Sequence, residues 1–290
     1  MRFHEVIIRP PGHVHASAFV EMAELVRAGL EALGHSVTFS ENRWDATAVN
    51  VLFGAHHLIG EDGQWEVVPP VQTILYHLEP LVDGSPWTSL APATAFATFP
   101  VWDYSAVNEA YRRDHHWPGT WYTVPVGYMP EWTRIISQDP PDIDVLFYGS
   151  LSPRRRKVLD ALITAGVRVQ VLFGVYGVER DAWIGRSQIV LNLHQASNYP
   201  FESVRVGYLL ANRRCVLSED SPSSDPDASR WRDGIAWTGY AEMVETCQAW
   251  LASEARRAVV AERGWQVLQR YPETDYLAAV LERMAANHQL

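Results

Sequence analysis

Residues 147 to 162, FYGSLSPRRRKVLDAL, set four consecutive cations, Arg154 to Lys157, at what reads as the start of a helix. A helix N-terminus carries unpaired N–H groups and partial positive charge, so acidic side chains normally settle there and cations do not. Ser152 is a capping residue type and Pro153 suits a first helical turn, which marks the start well. Cations added to an already electropositive end suit a small anion. A diphosphate there would accept backbone N–H bonds and charge-assisted bonds from arginine forks. Helical spacing turns Arg155 to the sheet side, three and four residues before Val158 and Leu159. Arg156 has Asp160 four residues on, so a surface ion pair is its plain alternative. For the whole run the plain alternative is a solvated face.

A second constellation is NLHQASNYPFESVRVGYLLAN, residues 192 to 212. Glu202 and Arg205 lie three apart near a helix start, with Tyr208 and Leu209 along the same side. A carboxylate there relieves the helix dipole without any function; beside a strand-end loop it could also hold ribose hydroxyls. His194 is either a satisfied polar group at a strand end or a functional imidazole. In PPGHVHASAF, residues 10 to 19, His13 and His15 could serve as a general base, or the segment is a polar turn. His56 and His57 are adjacent, so on a strand they would diverge, and His115 and His116 are in the same position. The Asp142-Ile143-Asp144 spacing resembles a metal-holding DxD element. It precedes its strand, however, at the sheet's amino end, and is excluded as a metal site. Zinc spacing, a nucleophile elbow, a Walker loop and GxGxxG are all absent.

The elements that must position these groups alternate between strand and helix patterns. The first half reads as a strand from Glu5 to Ile8, a helix from Ala16 to Leu33 closed by Gly34, and a strand from Ser36 to Phe39, a right-handed β-α-β unit. Further strands are expected at Asn50 to Phe53, Thr73 to Tyr76, Phe96 to Val101 and Tyr122 to Val126, with a helix at Tyr104 to Asp114. MPEWTRIISQDPPD, residues 129 to 142, reads as a linker. The alternation then restarts: strands at Asp144 to Tyr148, Val167 to Leu172, Ile189 to Leu193 and Cys215 to Ser218, helices at Pro153 to Ala165 and Ser203 to Ala211, and helices after Tyr240. The expected fold is α/β, two Rossmann-like doubly wound domains facing a cleft, residues 1–135 and 136–270, with a C-terminal helix at 271–290 that could pack back on the first. Ligands of such sheets bind at the carboxyl ends of strands. That edge carries Gly149, Ser150, Ser152, Asn192, His194, Glu219 and Asp220.

The chain has 290 residues, 47% of them hydrophobic, and a formal net charge of −10, a soluble globular composition whose acidity argues against nucleic acid as partner. Two cysteines, Cys215 and Cys247, make no disulfide framework. A signal-peptide core and an apolar run of ~18 residues are both lacking, so a cytoplasmic protein without a transmembrane segment is expected.

The runs DVLFYGSLSPRRR, LFGVYG, IVLNLHQ and FESVRVGYLLAN with VLSE resemble the nucleotide-sugar domain of GT-B glycosyltransferases, nearest the bacterial spore-maturation-type, family-4-like group. YHLEPL at 76 to 81, VWDYSAVN at 101 to 108 and VPVGYMP at 124 to 130 resemble the same group, and the likeness spans most of residues 71 to 219. It implies sugar transfer, of hexosyltransferase type, from a nucleotide diphosphate donor held by the C-terminal domain to an acceptor on the N-terminal one. No cofactor or metal would be needed, and a UDP sugar would serve as co-substrate. By position, Gly149, Ser150, Arg155 and Arg156 would meet the diphosphate, with His194, Glu202 and Arg205 near the ribose or phosphates. An inverting enzyme would also need a base, for which His13, His15 and Glu79 are candidates. Where family-4-like enzymes carry two glutamates eight apart, this chain has Pro200 and Tyr208, so retention and inversion both stay open. A nucleotide-sugar epimerase or hydrolase, and a non-catalytic nucleotide-sugar binder, are the rival readings. The sugar, the acceptor and the oligomeric state are left open.

Overall fold

The computed structural model describes residues 1–85, 88, 94–222 and 224–290. They form two units, Met1–Gly127 with Pro272–Leu290, and Tyr128–Tyr271.

In the first unit, short apolar runs form β1 (Arg2–Ile7), β2 (Ser36–Glu41), β3 (Val49–Phe53), β4 (Thr73–His77), β5 (Val101–Asp103) and β6 (Trp121–Thr123). They make a parallel sheet in the order β2-β1-β3-β4-β5-β6. β3 and β4 are buried along almost their whole length, as strands covered on both faces must be. Helix α1 (Val20–Ala32) buries Met22, Leu25, Val26 and Leu30. A six-residue 3₁₀ helix, Val14–Phe19, precedes it where a continuous helix from Ala16 is expected. Ser105 caps α2 (Ala106–Asp114), its hydroxyl accepting from the Val107 and Asn108 amides. The strand expected at Phe96 to Val101 lies instead at Val101–Asp103. Residues 94–96 are helical, and the register with β4 begins at Val101.

The chain returns to this unit through its last helix, α9 (Glu273–Ala286), which packs on α1. The contact depends on Gly29, where a Cβ would lie 2.5 Å from Leu277 Cδ1. Glu273 accepts a hydrogen bond from Gly127 N at 2.7 Å, and Trp102 Nε1 donates to Met284 Sδ at 3.2 Å.

The second unit holds β7 (Ile143–Tyr148), β8 (Val169–Leu172), β9 (Ser187–Asn192), β10 (Val216–Glu219) and β11 (Ala236–Thr238), all parallel, in the order β11-β10-β9-β7-β8. Its helices are α3 (Pro153–Thr164), α4 (Gly177–Gly185), α5 (Ser203–Ala211), α6 (Pro226–Arg230), α7 (Met243–Leu251) and α8 (Glu254–Leu268). Val145, Phe147, Ile189, Leu191 and Leu217 form one core with Leu159, Leu162, Met243 and Cys247. Both cysteines are free and buried there, and burial pushes each thiol up to about 12.

Residues 129 to 142 do not behave as a loose linker. Trp132 is buried and meets Tyr208 edge-on at 5.5 Å. Asn212 Oδ1 accepts from Arg134 N and Ile135 N, both at 2.8 Å, while its Nδ2 donates to Trp132 O. Proline and polar composition show that the segment is irregular, not that it is free. Its anchor is a side chain 77 positions away from Ile135.

Candidate functional site

From β7 the chain turns one way to β8, then crosses to β9 on the other side, so the β7–β9 boundary is the topological switch point of the second sheet. In open parallel sheets, ligands bind at such a point, outside the carboxyl ends of the strands. Gly149 and Ser150 follow β7; Leu193, His194 and Gln195 follow β9.

Gly149 holds φ at +129°, open only to glycine, and a Cβ there would come within 2.8 Å of Arg205 Nη2. The bare backbone and the guanidinium thus share one small space. Ser152 Oγ accepts from Arg155 N at 3.3 Å, and Pro153 opens α3.

The four cations then divide by helical direction. Arg154 bonds both carboxylate oxygens of Glu219 and stacks over Tyr240 at 3.9 Å. Arg155 is 4% exposed and bonded through all three nitrogens. Its Nε and Nη2 reach Leu193 O, Nη1 reaches Ser150 O and Gln195 Oε1, and Nη2 also meets Glu202 Oε1 at 3.2 Å. Burial first, then Arg205, lowers its pKa to about 10. Arg155 therefore ties the β7 and β9 loops together, with no donor left for a ligand. Arg156 and Lys157 are exposed.

Glu202, immediately before α5, is the hub. It accepts from Arg155, from Asn192 Nδ2 at 3.0 Å and from His194 Nδ1 at 2.9 Å. Burial alone would raise its carboxyl; His194, then Arg205 and Arg155, outweigh burial and hold it at about 2. For His194 burial opposes protonation, but the Glu202 carboxylate wins and its pKa is raised. His194 Nε2 lies 3.0 Å from Ser221 Oγ, and its backbone N–H donates to Glu219. Arg205 Nη1 donates to Asn192 Oδ1 at 3.0 Å. Among the described residues no hydrogen bond engages its Nη2, which leaves that group for a ligand beside Gly149.

The fold thus gathers Gly149, Ser150, Arg155, His194, Glu202 and Arg205 at one edge, and leaves Arg156 on the outer face of α3. Arg154, Gln195 and Ser221 belong to the same network. Of these, Gln195 and Ser221 carry no sequence signal beyond their nearness to strand ends. At the opposite edge, Asp142 pairs with Arg186 and Asp144 with Arg168.

His13, His15 and Glu79 lie in the first unit. His13 packs on His15 at 5.6 Å and on His57 at 4.6 Å between ring centroids. His56 and His57 do not diverge, because residues 55–58 form a 3₁₀ turn and not a strand; their rings lie 4.1 Å apart. Burial first, then His57, lowers His56 to about 3, so its imidazole is neutral. Glu79 lines a small pocket with His56, Tyr76, His77, Phe19 and Phe96, and burial raises its carboxyl. His77 and Asp103, unremarked in the sequence, form a buried pair at 2.7 Å.

No protein-family model matches the chain. The protein L140 of Acanthamoeba polyphaga mimivirus is 30% identical over 156 residues, which are 52% of this chain and 50% of that protein, so the chain matches about half the length of this relative. Among solved structures, AviGT4, a glycosyltransferase involved in avilamycin A biosynthesis, is similar over 97% of this chain and 96% of that one, with 15% identity and a TM-score of 0.54. T4 phage BGT, solved in complex with its UDP-glucose substrate, is similar over 97% and 99%, with 11% identity and a TM-score of 0.57. The fold is that of the GT-B glycosyltransferases, two α/β units each built on a parallel sheet.

Proposed function

We propose that the chain is a glycosyltransferase that takes its sugar from a nucleotide diphosphate donor, of UDP type, without a metal ion. The observation that carries this reading is the β7–β9 edge of the second unit. There Gly149 brings bare backbone to Arg205 Nη2 at the start of α3. The diphosphate would lie across Gly149 and Ser150, accepting from backbone N–H groups and from Arg205. Arg155, Glu202, His194 and Asn192 would hold these donors in place before the ligand arrives. As the glycosidic bond to the β-phosphate lengthens, charge develops on the leaving oxygen, and fixed donors stabilise it most at that stage.

The test is calorimetric titration with UDP and UDP-sugars, followed by product analysis with donor and candidate acceptors together. UDP binding with transfer supports the reading. Turnover of donor alone into a second nucleotide sugar would replace it with an epimerase, and binding with no product under any acceptor would leave a binding protein.

A further inference from the structure

Of the chain's 11 histidines only His194 lies in the second unit, residues 128–271. Histidine is the side chain whose ordinary pKa puts its charge change between about pH 5 and 8. A proton exchanged at the donor edge near neutral pH therefore points to this ring. It is 3% exposed, and both its nitrogens are engaged. Nδ1 lies 2.9 Å from Glu202 Oε2, and Nε2 lies 3.0 Å from the buried Ser221 Oγ. A carboxylate only accepts, so Nδ1 carries a proton in either state of the ring. The serine hydroxyl donates to a neutral Nε2 and accepts from a protonated one. The imidazole thus gains or loses a proton without changing either partner.

The charged groups facing the ring come from α5, β10 and α3. Glu202 stands just before α5 and Arg205 on it; Glu219 ends β10, with Asp220 next; Arg154 and Arg155 open α3. Arg154 Nη1 donates to His194 O at 3.3 Å, and the His194 amide donates to Glu219 Oε2 at 3.1 Å. Asp220 is paired with Arg232 at 2.8 Å. Arg154, Arg155 and Arg205 then face Glu202 and Glu219, one positive charge in excess with His194 neutral and two with it protonated. A nucleotide-sugar diphosphate brings one negative charge on each phosphate, so the charges balance only when the ring is protonated. Glu202 is also shared, with Arg155 at 3.2 Å and with Asn192 at 3.0 Å, and Asn192 Oδ1 holds Arg205 Nη1 at 3.0 Å. A proton on His194 commits more of the Glu202 charge to the ring and less to the two arginines, where little water screens the effect.

We infer that His194 is a proton-linked positioning residue: binding of the diphosphate draws a proton onto its ring, which acts through Glu202 and Asn192 on Arg155 and Arg205, so that donor affinity rises as the pH falls. This rests on the donor reading of the β7–β9 edge. Burial opposes the charged ring, but Glu202, Glu219 and a backbone hydrogen bond at Asp220 outweigh it, and in the free protein the pKa is already raised from 6.5. A bound anion raises it further. Affinity is therefore highest below the free-protein value, weakens as the pH rises between the two values and levels off above the second. A rise of about one unit on binding makes that change about tenfold.

The test is calorimetric titration of the full chain with UDP-glucose, which lacks the terminal phosphate whose ionisation near pH 6 would complicate UDP. Runs in HEPES and in Tris at about pH 7.5, buffers of different ionisation enthalpy, count the protons exchanged. The expected result is net uptake of a fraction of a proton, with a dissociation constant about tenfold weaker at pH 8.5 than at pH 6.5. In His194→Gln, which keeps an N–H for Glu202, the uptake should vanish and the constant should be equal at both pH values. Should that variant not fold, the wild type still decides. Its His194 imidazole resonances, followed by NMR against pH, should show a midpoint about one unit higher with UDP-glucose present. UDP-glucose binding without proton uptake, an unmoved midpoint, or uptake that persists in His194→Gln overturns the inference and leaves the donor site standing. No binding of UDP-glucose at either pH removes the donor reading and this inference with it.

Discussion

Replacing Glu202 by glutamine tests the electrostatic core of the donor site. The side chain is 18% exposed and accepts from Arg155 at 3.2 Å, Asn192 at 3.0 Å and His194 at 2.9 Å. Burial would raise its carboxyl above the usual 4.5, yet His194, Arg205 and Arg155 bring it down to about 2. Through proton linkage that difference is worth ~3 kcal/mol of folding free energy at neutral pH. The folded value lies below the unfolded one. The contribution is therefore full above about pH 4.5 and drains away as the pH falls from there through about 2. Glutamine keeps the size, removes the charge and turns an N–H₂ toward groups that are themselves donors. Arg155, 4% exposed, then loses its only paired carboxylate among the described residues. The expected loss is ~3 kcal/mol at pH 7, at the lower edge of the ~3–5 kcal/mol seen when one partner of a buried pair is removed. For a unit of this size that lowers Tm by roughly 6–12 °C. Calorimetry at pH 7 and pH 3 should show the gap between variant and wild type narrowing at the lower pH, because the wild type is by then losing the same interaction. A variant that melts within about 1 °C of wild type at pH 7, or a gap of equal size at both pH values, would refute the reasoning.

Arg205→Ala should weaken UDP binding by about tenfold or more, and by more at low salt than at high, with little change in Tm; an unchanged dissociation constant in calorimetry argues against this cation as the phosphate donor. Gly149→Ala should cost both UDP affinity and stability, since its φ of +129° excludes a Cβ and the added atom would displace Arg205 Nη2; tight UDP binding by a normally melting variant counts against the shared space. Activity, once an acceptor is found, should survive EDTA, and a strict requirement for Mn²⁺ would exclude the metal-independent mechanism. In the first unit, burial raises Glu5 to about 8 against the pull of Arg27, so its contribution to stability is present below about pH 4.5 and lost as the pH rises through 8. Glu5→Gln should therefore raise Tm more at pH 9 than at pH 6, and an equal effect at both would rule out ionisation of Glu5 as the cause.

Much of the fold was legible because parallel strands buried on both faces read as short apolar runs, and helices between them show one apolar stripe. Ser152, Pro153 and Gly34 mark boundaries by local chemistry, and the structure places a helix start and a helix end there. Three short elements, β11, α4 and α6, were not legible. At three and five residues, β11 and α6 carry too little pattern, and α4, at nine, opens without a side-chain cap. Residues 129 to 142 misled for a related reason, since loose composition and tight anchoring are independent properties.

That Arg155 turns inward could be read from the sequence alone, since it depends on 3.6-residue periodicity over a few neighbouring positions. The same local reading put the Gly149 and His194 loops at strand ends, because where a strand stops is a local signal. The use of those groups came from the folded chain. Arg155 became a tie between loops because Leu193, Gln195 and Glu202, 38 to 47 positions away, meet it there. His77 came to meet a buried carboxylate because β4 pairs with β5 in the register that sets it against Asp103, 26 positions on. Each such pairing depends on which strands lie side by side and in what register, and neither is written in any local stretch of the chain.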